Sequence, residues 1–395
     1  MEQIANCVAC GSGEIELFFE QHDVPTHSCL LLDTLEQARS FPQGSIRLGR
    51  CLGCGFIFNT CFDLAHNAYS STYEETQGFS PTFRVFLADL ARDWIDRYDI
   101  HDKNVLEIGC GKGEFIVKMC ELGPNRGTGI DPAYVPERTQ SDASDRLTFI
   151  QDLYSENYVG LDADVIVCRH TLEHIQPVAD FMRLARRQIG ERTDVVVLFE
   201  LPDVLRVLKE VAFWDIYYEH SSYFTLGSLA RLFRATGFDV VNLSLAYDDQ
   251  YLLVEARPSQ GSSSLPPLAV EDDMDEIAEA VKHFAVAYAA TVDKWRSLLR
   301  DIVGSGRRVV IWGAGSKGVS YLTTLGAGSG IEYAVDIDPF KHGMFLAGSG
   351  QQIVSPEFLK DYRPDVVIAM NPVYRQEIRD SLDELGLEAA ELLTV

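Results

Sequence analysis

The period of the hydrophobic positions changes several times along the chain. Between residues 79 and 98, Phe83, Phe86, Leu87, Leu90, Trp94 and Ile95 recur at three and four, which predicts an amphipathic helix. Short apolar runs then alternate with helical patterns: Asn104–Ile108, Arg126–Ile130, Leu147–Ile150, 163–168 and 195–201. Such alternation predicts βαβ units and a parallel sheet. Two further strand-like runs within 239–256 predict an antiparallel edge. Residues 257–267 are rich in Pro, Ser and Gly and mark a domain boundary. Beyond it Met274, Ile277, Val281, Phe284, Tyr288, Trp295, Leu298 and Ile302 form one long helical stripe, a packing surface. A second, smaller α/β unit follows over 307–395. The first 75 residues lack this rhythm. They hold short mixed segments, turn signals such as Phe41-Pro42-Gln43-Gly44, and a tyrosine-rich stretch, Tyr69-Ser70-Ser71-Thr72-Tyr73. Three parts result: 1–75, 76–257, and 258–395 with the linker and long helix at its start.

Composition adds limits. The chain has 395 residues, 46% hydrophobic and 24% charged, as soluble globular proteins do. Its formal net charge of -25 disfavours nucleic acid and anionic membrane as partners, since both need a basic face. No apolar run approaches the ~20 residues of a membrane span. Met1-Glu2-Gln3 begins no secretory signal, so a cytoplasmic location is expected. Local pockets of backbone N–H groups can still take an anionic nucleotide.

All nine cysteines lie at or before Cys168. Their odd number fits reduced thiols. Cys7 with Cys10, and Cys51 with Cys54, form two C-x-x-C pairs, each followed by glycine. Two such knuckles can close a four-sulfur tetrahedral shell without an open position, so a structural Zn2+ is expected. Core cysteines or a redox pair are the alternatives. Cys29, Cys61, Cys110, Cys120 and Cys168 read as packing residues.

Val105-Leu106-Glu107-Ile108-Gly109-Cys110-Gly111-Lys112-Gly113 places an acid and three glycines at a strand-to-helix turn, where backbone can approach a ligand closely. Asp131 ends the next strand, where it can accept from ribose hydroxyls. Asp152 follows the third strand, and the fourth leads through Arg169 and His170 into Thr171-Leu172-Glu173-His174. This ordered set resembles the class I S-adenosylmethionine methyltransferases, with another Rossmann-like cofactor fold as the alternative. The resemblance implies cofactor contacts at Glu107, Gly109, Cys110, Gly111, Gly113, Asp131, Asp152 and His170.

After the fifth strand comes Trp214-Asp215-Ile216-Tyr217-Tyr218-Glu219-His220-Ser221-Ser222-Tyr223-Phe224. Glu219 and His220, flanked by tyrosines, offer a base and hydrogen-bond donors. A polar loop with structural aromatics is the bland reading. Taken together, the four-cysteine module, the E-x-G-x-G-x-G domain, the Y-x-E-H loop and the second α/β unit resemble the bacterial nucleotide-deoxysugar C-methyltransferases, from Cys7 to about Tyr374. The resemblance implies an α/β architecture: a class I Rossmann-like sheet between an N-terminal zinc module and a C-terminal Rossmann-like domain. It implies methylation of a nucleotide-linked keto-deoxysugar through α-proton abstraction and enolate attack on the cofactor methyl. His220 is then the base, Glu219 its orienting or tuning partner, and Tyr217 the donor to the enolate oxygen. His174 lies near the keto group, and Tyr73 reaches in from the zinc module. Structural readings stand beside these: an interface aromatic at Tyr73, a helix-start or core histidine at His174.

The second glycine loop, Gly313-Ala314-Gly315-Ser316-Lys317-Gly318, fits G-x-G-x-x-G, with Asp336 ending the next strand. Taken alone it reads as a dinucleotide site or a structural domain; the resemblance instead implies a domain that helps hold the nucleotide diphosphate of the sugar. Under that implied role, Gly315, Lys317, Asp336, Lys341 and Asn371 contact substrate. Two segments depart from the family. Tyr247-Asp248-Asp249-Gln250 stands where a Gly-rich, Arg-containing stretch is common, and its acids would repel a phosphate or bind a hydroxyl or amine. Met370-Asn371-Pro372 lacks a tryptophan often found there. An O- or N-methyltransferase and a non-catalytic cofactor-binding scaffold are the rival functions. The sequence does not separate monomer from dimer.

Overall fold

The helix expected near residue 79 runs over Pro81–Tyr98 in the computed structural model, which describes residues 4–66, 72–261 and 265–395. Met1-Glu2-Gln3, Tyr69-Ser70-Ser71 and Ser262-Ser263-Ser264 lie outside the described residues. The Ser80 hydroxyl accepts from the Phe83 N–H, and Pro81 occupies the first turn, where no N–H partner is needed. Asp99 ends the helix in the left-handed region, φ 50°. The buried face of Phe83, Leu87, Leu90, Ala91, Trp94 and Ile95 packs with Phe115 and Met119 of helix Glu114–Leu122.

Strands Asn104–Ile108, Arg126–Ile130, Leu147–Ile150, Val165–Arg169, Val196–Pro202, Phe238–Ala246 and Tyr251–Pro258 form one seven-stranded sheet. Across it they run third, second, first, fourth, fifth, seventh, sixth. The first five are parallel, and the last two form the expected antiparallel edge, with Leu252 opposite Leu201 and Leu243 opposite Val254. Strand order reverses between Asn104–Ile108 and Val165–Arg169, which opens a crevice at the strands' carboxyl ends.

The N-terminal part is more regular than its sequence suggests. Ile15–Pro25, Gln43–Cys51 and Ile57–Asn59 form an antiparallel sheet that Ser222–Tyr223 of the large domain completes. Gln43 and Gly44, read as a turn, already belong to a strand. Glycine is needed there because the Tyr218 ring lies against it: a Cβ on Gly44 would sit 2.3 Å from Tyr218 Cε2.

Behind the linker, helix Met274–Gly304 leads into a parallel five-stranded sheet. Its order is Gln352–Val354, Tyr333–Val335, Val309–Trp312, Val366–Ala369, Glu391–Thr394. One apolar core runs from Phe19 and Ile46 through Trp214 and Tyr218 to Phe284, Ile311 and Ile368, so all three parts share packing. Burying such side chains contributes roughly 1.5–3 kcal/mol each. Both parallel sheets turn their carboxyl ends to the same cavity. Among the described residues no helix is long and apolar enough to cross a membrane.

Candidate active site

The cavity encloses about 480 Å³. Its wall contains both glycine loops, the stretch Tyr73–Ser80 and the loop from Tyr217 to Tyr223. Gly109, Gly111 and Gly113 all have positive φ, at 73°, 53° and 85°. Gly109 is tightly enclosed, since a Cβ there would lie 2.0 Å from Thr171 Oγ1. Asp131 braces the loop: its carboxylate accepts from Gly111 N at 2.8 Å and Ala133 N at 2.7 Å. Lys112 Nζ donates to the carbonyls of Tyr73 and Ala133, tying the loop to the N-terminal part. Asp152 stands at the exposed rim and accepts from Leu153 N and the Tyr158 hydroxyl.

Beneath the loop lies a buried charged network. Arg169 donates to Glu200 at 2.6 Å, and His170 lies between Glu200 at 3.2 Å and Glu173 at 3.7 Å. Burial opposes charge on His170, but Glu200 and Glu173 overcome it and raise the imidazole to about 9. Burial likewise works against the Glu200 carboxylate, yet Arg169 and His170 hold it down at about 2. Glu107 is not compensated in this way. Burial pushes it up to about 8 against the pull of Arg169, and its Oε2 has no hydrogen-bond partner.

His220, 6% exposed, faces the cavity between two aromatic partners. Ring centroids lie 4.1 Å from Tyr217 and 4.9 Å from His174. Burial, helped by His174, His170 and Lys317, drives its pKa well below the usual imidazole range, so the ring is neutral at neutral pH. Burial keeps the Tyr217 phenol protonated. His174 Nδ1 donates to the Glu219 carbonyl at 3.1 Å, which directs its other ring nitrogen elsewhere. The Glu219 carboxylate is taken up by the N-terminal part: it accepts from Ser28 N at 2.8 Å and pairs with His27 Nδ1 at 3.2 Å. Its link to His220 therefore runs through the backbone of the loop it anchors. Glu219 and Gly113 stand behind the wall; every other residue expected to touch cofactor or substrate lines it.

The second loop approaches from the opposite side. Lys317 pairs with Asp215 at 2.6 Å, and Asp215 also holds Arg206 at 2.6 Å. Lys341 lies 3.3 Å from Asp336, whose carboxylate accepts from Ala314 N. Gln250 and Asn371 exchange hydrogen bonds at 2.9 and 3.0 Å across the domain boundary. Asp248 and Asp249, expected to repel a phosphate or bind a hydroxyl or amine, do not line the cavity. They sit in an exposed left-handed turn with φ 57° and 56°, and Gln250 takes the facing position.

A methyltransferase domain family model matches residues 83–243, and a C-methyltransferase C-terminal domain model matches 267–394. The chain is 28% identical over 307 residues to the C-methyltransferase NovU of Streptomyces niveus, covering 73% of this chain and 71% of that enzyme. The chain is an S-adenosylmethionine-dependent methyltransferase. A ribosomal protein L11 methyltransferase of Pasteurella multocida is 33% identical over only 84 residues, 20% of this chain and 28% of that enzyme. Among solved structures, a riboflavin-derivative dimethyltransferase, RosA, from Streptomyces davawensis is similar at TM-score 0.37 and 19% identity, covering 45% of this chain and 55% of that one.

The site of this methyltransferase suits a cationic cofactor. The glycine cradle has no room for side chains at Gly109 and Gly113, and orphaned carboxylate oxygens of Glu107 and Glu75 stand beside it. S-Adenosylmethionine supplies an electrophilic methyl group when bound there. Glu75, Glu173, Glu200, Arg206 and Asp215 carry much of the local charge, yet the sequence signalled no role for them. Glu173 has a local partner in His170, but Glu75, Glu200 and Asp215 also pair with Lys112, Arg169 and Lys317, which only the fold brings near.

Cys7, Cys10, Cys51 and Cys54 converge at the far end of the N-terminal sheet, their sulfurs all within 4.8 Å of one another. Cys7 lies 3.7 Å from Cys54 and Cys10 3.5 Å from Cys51. Zinc–sulfur bonds of ~2.3 Å in a tetrahedron put sulfurs about 3.8 Å apart, so the donor set fits the ion. The other five cysteines are buried; Cys61, Cys120 and Cys168 stand away from the cavity, whereas Cys29 and Cys110, also read as packing residues, line it.

Proposed function

We propose that this enzyme methylates a ring carbon of a nucleotide-linked keto-deoxysugar, with His220 as the base. One observation carries the reading: a buried, neutral histidine faces a cavity bounded by the cofactor loop on one side and a second, lysine-bearing glycine loop on the other. A ketone acidifies the neighbouring C–H, and a neutral imidazole can accept that proton. The protonated Tyr217 hydroxyl donates to the enolate oxygen. His174 offers its second ring nitrogen to the same region. Tyr73 and the glycine loop close the cavity from the N-terminal side and keep water out. Lys317 and Arg206, with Lys341 and Asn371, receive the nucleotide diphosphate. Their acidic partners keep these cations in place between turnovers.

The four cysteines hold a structural Zn2+. The ion stiffens the sheet that presents His27 and Ser28 to Glu219. Metal analysis should find one zinc per chain, and chelation should lower the unfolding temperature; a metal-free chain of unchanged stability contradicts this. The sugar reading is tested with isotopically labelled cofactor and a panel of nucleotide keto-sugars. NMR should place the label on a ring carbon beside the carbonyl. Label on oxygen or nitrogen would replace the reading.

A further inference from the structure

Residues 72–80 straddle the boundary that the sequence places between residues 75 and 76. In the fold they cover the cofactor loop, and Tyr73, Glu75, Thr76, Gln77, Phe79 and Ser80 line the cavity. Glu75 is the charged member of this wall. Its Oε1 lies against the middle glycine of the loop, 2.7 Å from where a Cβ on Gly111 would sit. Its Oε2 is buried without a hydrogen-bond partner. Lys112 Nζ is 3.7 Å away, but that ammonium already donates to two carbonyls at 2.7 and 2.8 Å. On the other side Asp131 accepts from Gly111 N. Two carboxylates thus bracket one glycine.

We propose that Glu75 recognises the positive sulfonium of S-adenosylmethionine and makes the site prefer the charged cofactor to its neutral thioether product. The inference rests on the reading of this loop as the cofactor site. Covalent structure selects the sulfonium over the α-ammonium. The sulfur is one carbon from the ribose, and the ammonium three carbons farther on. Glu75 shares Gly111 with Asp131, the acid placed for the ribose, so the sulfur is the nearer cation. The Glu75 side chain is 30% exposed in the cavity wall, with Oε2 buried; a carboxylate there without a full countercharge is costly, and a bound cation relieves that cost. Methyl transfer removes the charge, so the spent product loses this attraction and leaves more readily.

The surroundings of Glu75 agree. Burial pushes its carboxyl up to about 8; Lys112 pulls it down, and Asp131 and Glu74 push it up. Cys29, Cys110 and Arg138 also feel its charge, and Arg138 is paired with Glu74 at 2.6 Å. Pairing with a cation requires the ionised form. Binding of S-adenosylmethionine therefore releases a proton near neutral pH, and affinity climbs as pH rises through this range. The thioether lacks that coupling at Glu75.

Calorimetric binding of S-adenosylmethionine and S-adenosylhomocysteine, without sugar, tests the proposal between pH 6.5 and 8.5. Glu75→Gln should weaken the charged cofactor about tenfold and the thioether less than about twofold. It should also flatten the pH dependence, and Glu75→Asp should restore much of the preference. Retained thioether binding shows that the variant is folded. Equal loss for both ligands, or none for either, would overturn the proposal alone. Failure of both ligands to bind the unaltered protein would overturn the cofactor-site reading as well.

Discussion

Two glycine loops stand on opposite sides of one cavity, built alike and charged differently. Each follows the first strand of a parallel sheet, and each is braced by the acid ending the next strand. Asp131 accepts from Gly111 N at 2.8 Å, and Asp336 from Ala314 N at 2.9 Å. The cofactor loop has three glycines at positive φ, and its neighbours Glu75 and Glu107 keep orphaned oxygens. In the second loop only Gly313, at φ 119°, has positive φ. Gly318 serves packing instead, since a Cβ there would meet the Gly313 carbonyl at 2.4 Å. Beside this loop stand Lys317 and Lys341. The shared architecture makes a crevice, and in the proposed reading the side chains around it set the sign of the ligand. A net charge of -25 conceals that division.

The contrast can be broken by substitution. Gly109→Ala should have the largest effect: φ is 73° and the new Cβ would strike Thr171. Strain and the clash together should cost about 2–4 kcal/mol and reduce turnover at least about a hundredfold, read by thermal unfolding and cofactor titration. Lys317→Met should come next. Arg206 still pairs with Asp215, so the fold is kept, while KM for the nucleotide sugar rises about 10–100-fold and cofactor affinity stays unchanged. Gln250→Leu, which takes the partner from Asn371 Nδ2 while Oδ1 still accepts from Val373 N, should raise the same KM about 3–10-fold. Gly315→Ala should do least. No atom lies within 4 Å of its Cβ, so stability should shift by less than about 0.5 kcal/mol. A severe loss at Gly315 would erase the distinction between the loops.

Legibility in the sequence follows the range of the interactions. Asn104–Ile108, Arg126–Ile130 and Leu147–Ile150 were expected with the bounds the structure has, because buried parallel strands read as apolar runs between turn signals. The antiparallel edge and the long helix were also legible. The N-terminal sheet was not. Gly44 imitates a turn because of a contact with Tyr218, and the fourth strand is the two-residue Ser222–Tyr223 from a distant part of the chain. In the site, motif residues such as Gly109, Asp131 and His220 carried local signals. Glu75 had none, lying in a polar stretch that resembles a loop. The Arg206–Asp215–Lys317 cluster joins three elements that only tertiary packing assembles.

His220 lies where the two charge environments meet, and its chemistry can be read without methyl transfer. Exchange of the α proton of a nucleotide keto-sugar into deuterated water is followed by NMR, with cofactor product present. The unaltered enzyme should exchange it, at a rate that falls only as pH drops through the depressed imidazole pKa, because the base must be unprotonated. His220→Asn should bind the sugar yet lose about 10²–10⁴-fold in exchange. Undiminished exchange in that variant would contradict the assignment of the base, and no exchange in the unaltered enzyme, with methyl transferred to oxygen or nitrogen, would contradict carbon methylation of a ketone.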